Sequence, residues 1–327
     1  MIKSRLRLIS GLFLAILFSW LIIRQVRPEE FKRALVAAEP VWIVAALCAF
    51  TIGYASRIQR WRLMLLHSNS RLRWADCAGP LVASFATNNI LPFRSGDVLR
   101  SFAFNERLGT SSGVVVATLF IERLLDMLVV IGLLGASLTV IGMSASRTTP
   151  GGGAALIGVS TAILSSLLFP RLFAPIALAF GRTACRVTPK FGQKLVDEIY
   201  KGLAVLQHMA RRTTFVRLVL WSLVVWLSEG CTFWLVARAL PSIERPTGSW
   251  LALPLGTLAT LIPSTPGYLG TFDYFVARAM VSAGNTAPAA AAYALIIHAV
   301  LWLPSTLAGG LYMILSPSKQ ATNLRPS

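Results

Sequence analysis

Asn89-Ile-Leu-Pro-Phe-Arg-Ser-Gly96 and Thr260-Leu-Ile-Pro-Ser-Thr-Pro-Gly267 stand 171 residues apart and share one pattern: a polar residue, two aliphatics, a proline, three residues, a glycine. Each closes a short apolar stretch, Cys77–Phe93 in the first half and Trp250–Pro263 in the second. A proline lacks the backbone donor and drives its predecessor out of helical geometry, so a helix stops there. In hydrocarbon the freed N–H and C=O groups are costly unless protein or a hydrated cavity satisfies them. Matching breaks in matching places predict two re-entrant helical hairpins, with Pro92, Gly96, Pro263, Pro266 and Gly267 as the breaking residues.

The remaining chain reads as membrane protein. Of its 327 residues 55% are hydrophobic and only 13% charged, about half the charged fraction of an ordinary soluble domain. Mean hydropathy is +0.66. Runs long enough to cross about 30 Å of hydrocarbon are Leu8–Ile23, Val41–Ser56, Ser112–Met143, Ala154–Phe180, Leu218–Ala239 and Ala289–Leu315. The second reaches spanning length only with the polar extension Arg57–Trp61, whose tryptophan suits a membrane interface. Lys3, Arg5 and Arg7 before the first run imitate a signal peptide, but no small-residue cleavage site follows, and a retained anchor helix is expected. The expected fold is therefore an all-α polytopic membrane protein, one transmembrane domain over 1–327, with six crossings and two re-entrant hairpins. Residues 41–143 and 218–315 form its two inverted repeats.

Orientation follows from the basic residues, since the net charge is +18. With both short stretches re-entrant and the N-terminus inside, the inner connections hold 21 Lys and Arg and the outer ones 6. This asymmetry predicts a protein with both termini cytoplasmic. The richest connector, residues 181–217, carries eight basic residues, among them Lys194, Lys201, Arg211, Arg212 and Arg217. It is expected to lie as an amphipathic segment near anionic lipid heads, or to dock a soluble lipid-biosynthesis enzyme. Nucleic acid is excluded as a partner, because neither interleaved aromatics nor a recognised module is present. Cys48, Cys77, Cys185 and Cys231 show no framework spacing, and His67, His208 and His298 lie far apart in sequence. No metal, no cofactor and no disulfide are expected.

Charges placed in apolar runs mark candidate sites, because a central charge costs at least about 2.5–3.5 kcal/mol and must face a partner or a wet interior. Glu122, Arg123 and Asp126 sit about ten residues into the third crossing, Glu122 and Asp126 sharing a face at i,i+4. Glu229 lies at similar depth in the fifth crossing, near a helix that contains His298. Asp97 and Arg100 follow the first break and Asp273 the second. One reading makes the acids interhelical ties. The other makes a hydrated path: Arg57, Arg60, Arg94 and Arg100 attract an anionic head group, Asn88, Asn89, Ser95, Thr260, Ser264 and Thr265 add short polar arms, Asp97 joins the binding set, and the acids Glu122, Asp126 and Glu229, with Arg123 among them, counterbalance the arginines or carry protons. No P-loop, HExxH, nucleophile elbow or DxD-type pair is present, so no catalytic residue is assigned and the chain is expected not to be an enzyme.

Arg57-Ile-Gln-Arg-Trp61, Asn89-Ile-Leu-Pro-Phe-Arg-Ser-Gly-Asp97 with Arg100, Glu122-Arg-Leu-Leu-Asp126 and Pro263-Ser-Thr-Pro-Gly-Tyr-Leu-Gly270 together resemble the flippase-like family of lysylphosphatidylglycerol synthase transmembrane regions. This family includes the membrane half of the bacterial multiple peptide resistance factor. The resemblance covers about residues 8–315. It implies an inner-membrane protein that translocates lipid, an anionic phospholipid or a polyprenyl-phosphate-linked glycolipid, using the motif residues above. Bifunctional members carry an aminoacyl-transferase domain after the membrane region. Here Ser316–Ser327 alone follows the last run, so lysyl transfer is expected not to be encoded in this chain. The alternatives are a membrane-embedded lipid-modifying enzyme and a non-transporting scaffold.

Overall fold

The computed structural model describes residues 36–91, 94–140, 189–262 and 265–316, with short pieces at 32–33, 156, 158–163, 174–175, 178–179 and 183. Among the described residues all regular structure is helical. The first half contains α1 (Pro40–Leu65), α2 (Trp74–Ile90), α3 (Ser95–Phe102), a single turn α4 (Asn105–Leu108) and α5 (Ser112–Val140). A connecting helix α6 (Pro189–Met209) follows, and the second half contains α7 (Arg212–Arg238), α8 (Ser249–Ala259), α9 (Thr271–Ser282) and α10 (Ala287–Leu315). Each half thus runs long helix, interrupted helix pair, long helix. Among the described residues three helices, α1, α7 and α10, are long and apolar enough to cross a membrane. The expected crossing Leu8–Ile23, more than half of Ala154–Phe180, and the breaking residues Pro92 and Pro263 with Ser264 lie outside the described residues.

Helix boundaries follow local chemistry. Pro40 opens α1, where its missing N–H and fixed φ suit the first turn. Arg57–Trp61 was expected to close this crossing at the membrane edge, but the helix continues unbroken to Leu65 and its charged turn finds internal partners. Trp61, expected at the interface, is 0% exposed, and its indole donates to Thr118 Oγ1 at 3.1 Å. Asp76 accepts from the Arg73 N–H at 2.8 Å and caps α2. At the other end Leu91, the residue before Pro92, takes extended geometry (φ −106°, ψ 146°), as a pre-proline residue must. Arg94 then adopts left-handed geometry (φ 51°) to start α3. The second break repeats the device: Thr265, before Pro266, is extended (φ −63°, ψ 162°), and Gly267 (φ 68°) turns the chain where a side chain would be strained. The Asp273 carboxylate accepts from the Gly270 N–H at 2.9 Å and caps α9.

Close backbone approaches hold these elements together. Gly53 of α1 faces Ser228 of α7, with its missing Cβ 3.4 Å from that of the serine. A Cβ on Gly96 would stand 1.8 Å from the Ser84 carbonyl oxygen, so α3 folds back against α2 only because that position is glycine. Gly309 of α10 lies against the Val82 carbonyl of α2 in the same way. Buried apolar residues form two clusters, one around Trp61, Leu81, Leu119 and Leu125, the other around Phe233, Leu251, Val276 and Tyr293.

Where it is described, the connector 181–217 packs one face against the protein and leaves its basic residues exposed. Helix α6 packs on the start of α5, burying Leu203, Val205 and Met209. The Glu198 carboxylate accepts the Gly113 N–H at 2.6 Å, and Gly113 and Gly202 let the backbones meet. Burial opposes ionisation of Glu198, but Lys201 and the Gly113 amide outweigh it and hold the carboxyl below its usual range. Lys194, Lys201, Arg211, Arg212 and Arg217 remain exposed.

The Gly96 contact gives a direct test. Gly96→Ala is expected to lower stability by about 1–3 kcal/mol, read as a fall in the thermal midpoint of the detergent-purified protein. Gly132→Ala, where nothing lies within 4 Å, should leave that midpoint unchanged or raise it.

Candidate functional site

The two breaks meet at one cavity of ≈ 400 Å³. Asn88, Asn89 and Arg94 come to it from the first break, and Thr257, Thr260, Leu261, Gly267 and Tyr268 from the second. The contact between breaks is direct: a Cβ on Gly267 would lie 3.2 Å from the Asn89 carbonyl oxygen and 2.8 Å from the Trp302 indole nitrogen. Asn89 is fixed from α10, its amide donating to Ser305 Oγ at 3.1 Å and Thr306 Oγ1 at 2.8 Å. Asn88 holds the first break closed; it donates to Asp97 Oδ1 at 3.2 Å and accepts from the Gly96 N–H at 2.8 Å. Aromatic side chains, Tyr54, Phe85, Trp226, Phe233, Tyr268, Phe272 and Trp302, supply much of the remaining wall. Leu261 at the rim is 51% exposed.

Four arginine–carboxylate pairs surround this cavity, and every one joins two helices. Arg57 of α1 pairs with Glu229 of α7. Arg60 of α1 pairs with Asp126 of α5 at 2.7 Å, and its guanidinium also donates to Ser222 Oγ at 2.8 Å. Arg100 of α3 pairs with Glu122 of α5 at 2.6 Å and stacks on Trp61, 4.5 Å from the ring centre. Arg123 of α5 reaches both oxygens of Asp97 in α3, at 3.0 and 3.2 Å. The Trp226 indole donates to Asp126 at 3.0 Å, and the Arg57 guanidinium lies 5.3 Å from the Trp226 ring centre. In a low-dielectric interior such pairs hold only when each charge is met, and removing one partner leaves the other uncompensated.

This geometry sorts the expected site residues. Arg57, Asn88, Asn89, Arg94, Arg123, Asp126, Glu229 and Gly267 line the cavity. Arg60 and Arg100, expected to attract a head group, do not: each is 1% exposed and bound to an acid behind the wall. Glu122 is likewise consumed by Arg100. Asp97 stands one step back, orienting Arg123. Gly96 is buried in the α2–α3 contact. Thr265, expected as a polar arm, gives its hydroxyl to the Leu269 carbonyl at 3.1 Å, and Pro266 only opens the turn before Gly267. His298 pairs with Asp273 at 2.7 Å, while Glu229 takes Arg57 instead. Of the arginines on the wall, Arg94 alone has no carboxylate partner among the described residues.

Tyr54 and Trp226 were missed by the sequence reading, although each lies three residues before a charged residue on the same helix face, at Arg57 and Glu229. The Asp273–His298 pair was missed as a pair. Its members lie 25 residues apart on different helices, and no local pattern joins them. His67 and His208, distant in sequence, stack with ring centres 4.0 Å apart, away from this cavity. Among the described residues no three metal-ligating side chains come together.

Helices of membrane-spanning length around a charged, aromatic-walled cavity define an all-helical membrane protein with an interior polar site. The sequence model of the lysylphosphatidylglycerol synthase TM region matches residues 8–309, and the chain belongs to that family. It is 26% identical over 345 residues to the glycosyltransferase AglD of Haloferax volcanii, an alignment covering 96% of this chain and 55% of that protein. It is also 26% identical over 188 residues to the UPF0104 membrane protein MJ1078 of Methanocaldococcus jannaschii, covering 57% of this chain and 75% of that protein. The chain therefore spans about half the length of the glycosyltransferase it matches. That relative corrects the expectation of a non-enzymatic chain. A protein similar to this one almost end to end is named for an enzymatic activity, and the missing sequence motifs carry no weight against it.

Double substitution tests the ion-pair network. Glu122→Met alone, leaving Arg100 buried and unmatched, is expected to destabilise by about 3–5 kcal/mol. Arg100→Met with Glu122→Met should cost less than the single change. A double variant that melts lower than Glu122→Met would show that the pair is not a mutually dependent unit.

Proposed function

We propose that this chain binds the anionic head group of a membrane lipid, a phospholipid or a polyprenyl-phosphate-linked glycolipid, in the cavity between the two helix breaks and carries it between leaflets. The carrying observation is Arg94: a cation at the break, on the cavity wall, with no carboxylate to satisfy it among the described residues. A phosphodiester would complete that charge, with Asn88 and Thr260 as neighbouring polar groups and the aromatic wall against the glycerol or prenyl portion. Acyl tails would remain in lipid outside the rim at Leu261.

In this reading the chain lies in the cytoplasmic membrane with both termini inside. It makes six crossings, and the two interrupted pairs enter from opposite faces as inverted repeats. The near-coincidence of the Arg57–Glu229 separation, 172 residues, with the 171-residue repeat supports a two-fold relation, because equivalent positions meet only near such an axis. A potential negative inside favours outward movement of one negative charge by about 2.3 kcal/mol per 100 mV. A lipid-biosynthesis enzyme would be the natural partner. The glycosyltransferase relative favours a second reading of the same site, in which the cavity presents a lipid-linked acceptor for sugar transfer.

Purified chain reconstituted with a fluorescent phosphatidylglycerol and a membrane-impermeant quencher separates them. Translocation is expected to exceed that of protein-free vesicles and to fall at least about tenfold in Arg94→Gln. Movement no faster than in protein-free vesicles, with either lipid class, counts against the first reading. A mass increase of one hexose on a polyprenyl phosphate supports the second.

A further inference from the structure

We propose that Asp273 and His298 form a proton-binding site that couples uptake of one proton to binding of the anionic head group. The inference rests on the head-group reading above and adds its coupling ion. Asp273 has both oxygens committed: Oδ2 accepts from the Gly270 N–H at 2.9 Å, and Oδ1 lies 2.7 Å from His298 Nδ1. An ionised carboxylate only accepts, so Nδ1 carries the hydrogen and the lone pair of the neutral ring is on Nε2. Nε2 has no protein partner among the described residues, and the ring is on the cavity wall beside Phe272. The carboxylate on the Nδ1 side fixes the tautomer, leaves Nε2 as the proton-accepting atom facing the cavity, and stabilises the imidazolium that a proton there makes.

The charges around the cavity make this proton decisive. Arg57 is balanced by Glu229, Arg123 by Asp97 and Asp126 by Arg60. Among the described residues, what remains is Arg94, positive, and Asp273, negative. With His298 neutral the remainder cancels; with a proton on Nε2 the site carries one net positive charge, matched to a monoanionic phosphodiester. Asp273 on α9 meets the ring directly, and the titratable groups that share the cavity wall with it are Tyr54 and Arg57 on α1, Arg123 and Asp126 on α5, Glu229 on α7, Tyr268 in the turn before α9, and Arg94 at the first break; α2 brings Asn88 and Asn89. Asp97 is paired with Arg123, a cation that never loses its charge, whereas Asp273 is paired with an imidazole. Anion binding then strengthens proton binding, and the proton strengthens anion binding by the same factor.

The experiment uses the full chain in nanodiscs of zwitterionic phosphatidylcholine, titrated with dihexanoyl phosphatidylglycerol between about pH 5 and 8. Affinity should fall about tenfold per pH unit once the free site has lost its proton, with one proton taken up per ligand in weakly buffered solution. His298→Gln should bind as weakly as wild type at high pH, independently of pH. Arg94→Gln should bind more weakly throughout and keep the slope. The proton-uptake measurement needs no variant, so it holds even where a substitution disturbs folding. Dimethyl phosphate, a phosphodiester without tails, separates sources: the same slope supports the inference with recognition at the phosphate, and a slope with the lipid alone supports it with the glycerol and tails included. Lipid binding that ignores pH, or a slope that survives His298→Gln, overturns the inference and leaves the head-group reading standing. No binding of either ligand at any pH overturns that reading, and the inference with it.

Discussion

A charge inside a membrane protein must be answered by an opposite charge, and α5 is where this chain concentrates that requirement. Within two turns, Glu122, Arg123 and Asp126 engage Arg100, Asp97 and Arg60. Two of those partners stand on α3 and one on α1. The Arg57–Glu229 pair joins α1 to α7, and Trp226 joins α7 back to Asp126. Each helix is thereby registered against its neighbours at the level of a single side chain. Apolar packing between helices that all face lipid would not by itself specify such a register. The pairs do so because a one-residue slip would strand several buried charges together.

The same network decides what the cavity can attract. Paired arginines present little net field, however many of them line a wall. Sequence reading treats Arg57, Arg60, Arg94 and Arg100 alike, since all four lie near a helix end or a break. Pairing separates them: three are consumed by carboxylates, and Arg94 meets none among the described residues. That distinction depends on which helix faces which, and no local pattern carries it.

Much else was legible. Proline at 92 and 263, with glycine four residues on, marked both interruptions, and the extended geometry of Leu91 before Pro92 and of Thr265 before Pro266 is the local effect anticipated from a following proline. The apolar runs located α1, α5, α7 and α10 to within a few residues, apart from the extension of α1 through its charged turn. That extension was hidden because Arg57, Arg60 and Trp61 read as the edge of a membrane; only the partners on α5 and α7 make the same residues interior. Helix α6 was visible as a polar helix, but its docking depends on Gly113 meeting Gly202 and Glu198 across 85 residues of sequence, beyond any periodicity. The polar site was half legible for a similar reason. Asp97 and Asp273 could be read as residues following a break, whereas their cations lie on later helices.

The contact of Gly267 with Asn89 has a mechanical corollary. The last turn of α2 and the turn at Gly267 come from opposite halves and meet there, and the indole of Trp302 closes the third side of the joint. Neither segment can swing without carrying the other or breaking that touch. The two breaks thus behave as meshed teeth, and position 267 sets their clearance: a Cβ there would stand 3.2 Å from the Asn89 carbonyl oxygen and 2.8 Å from the indole nitrogen, so the gear would have to slacken to admit it.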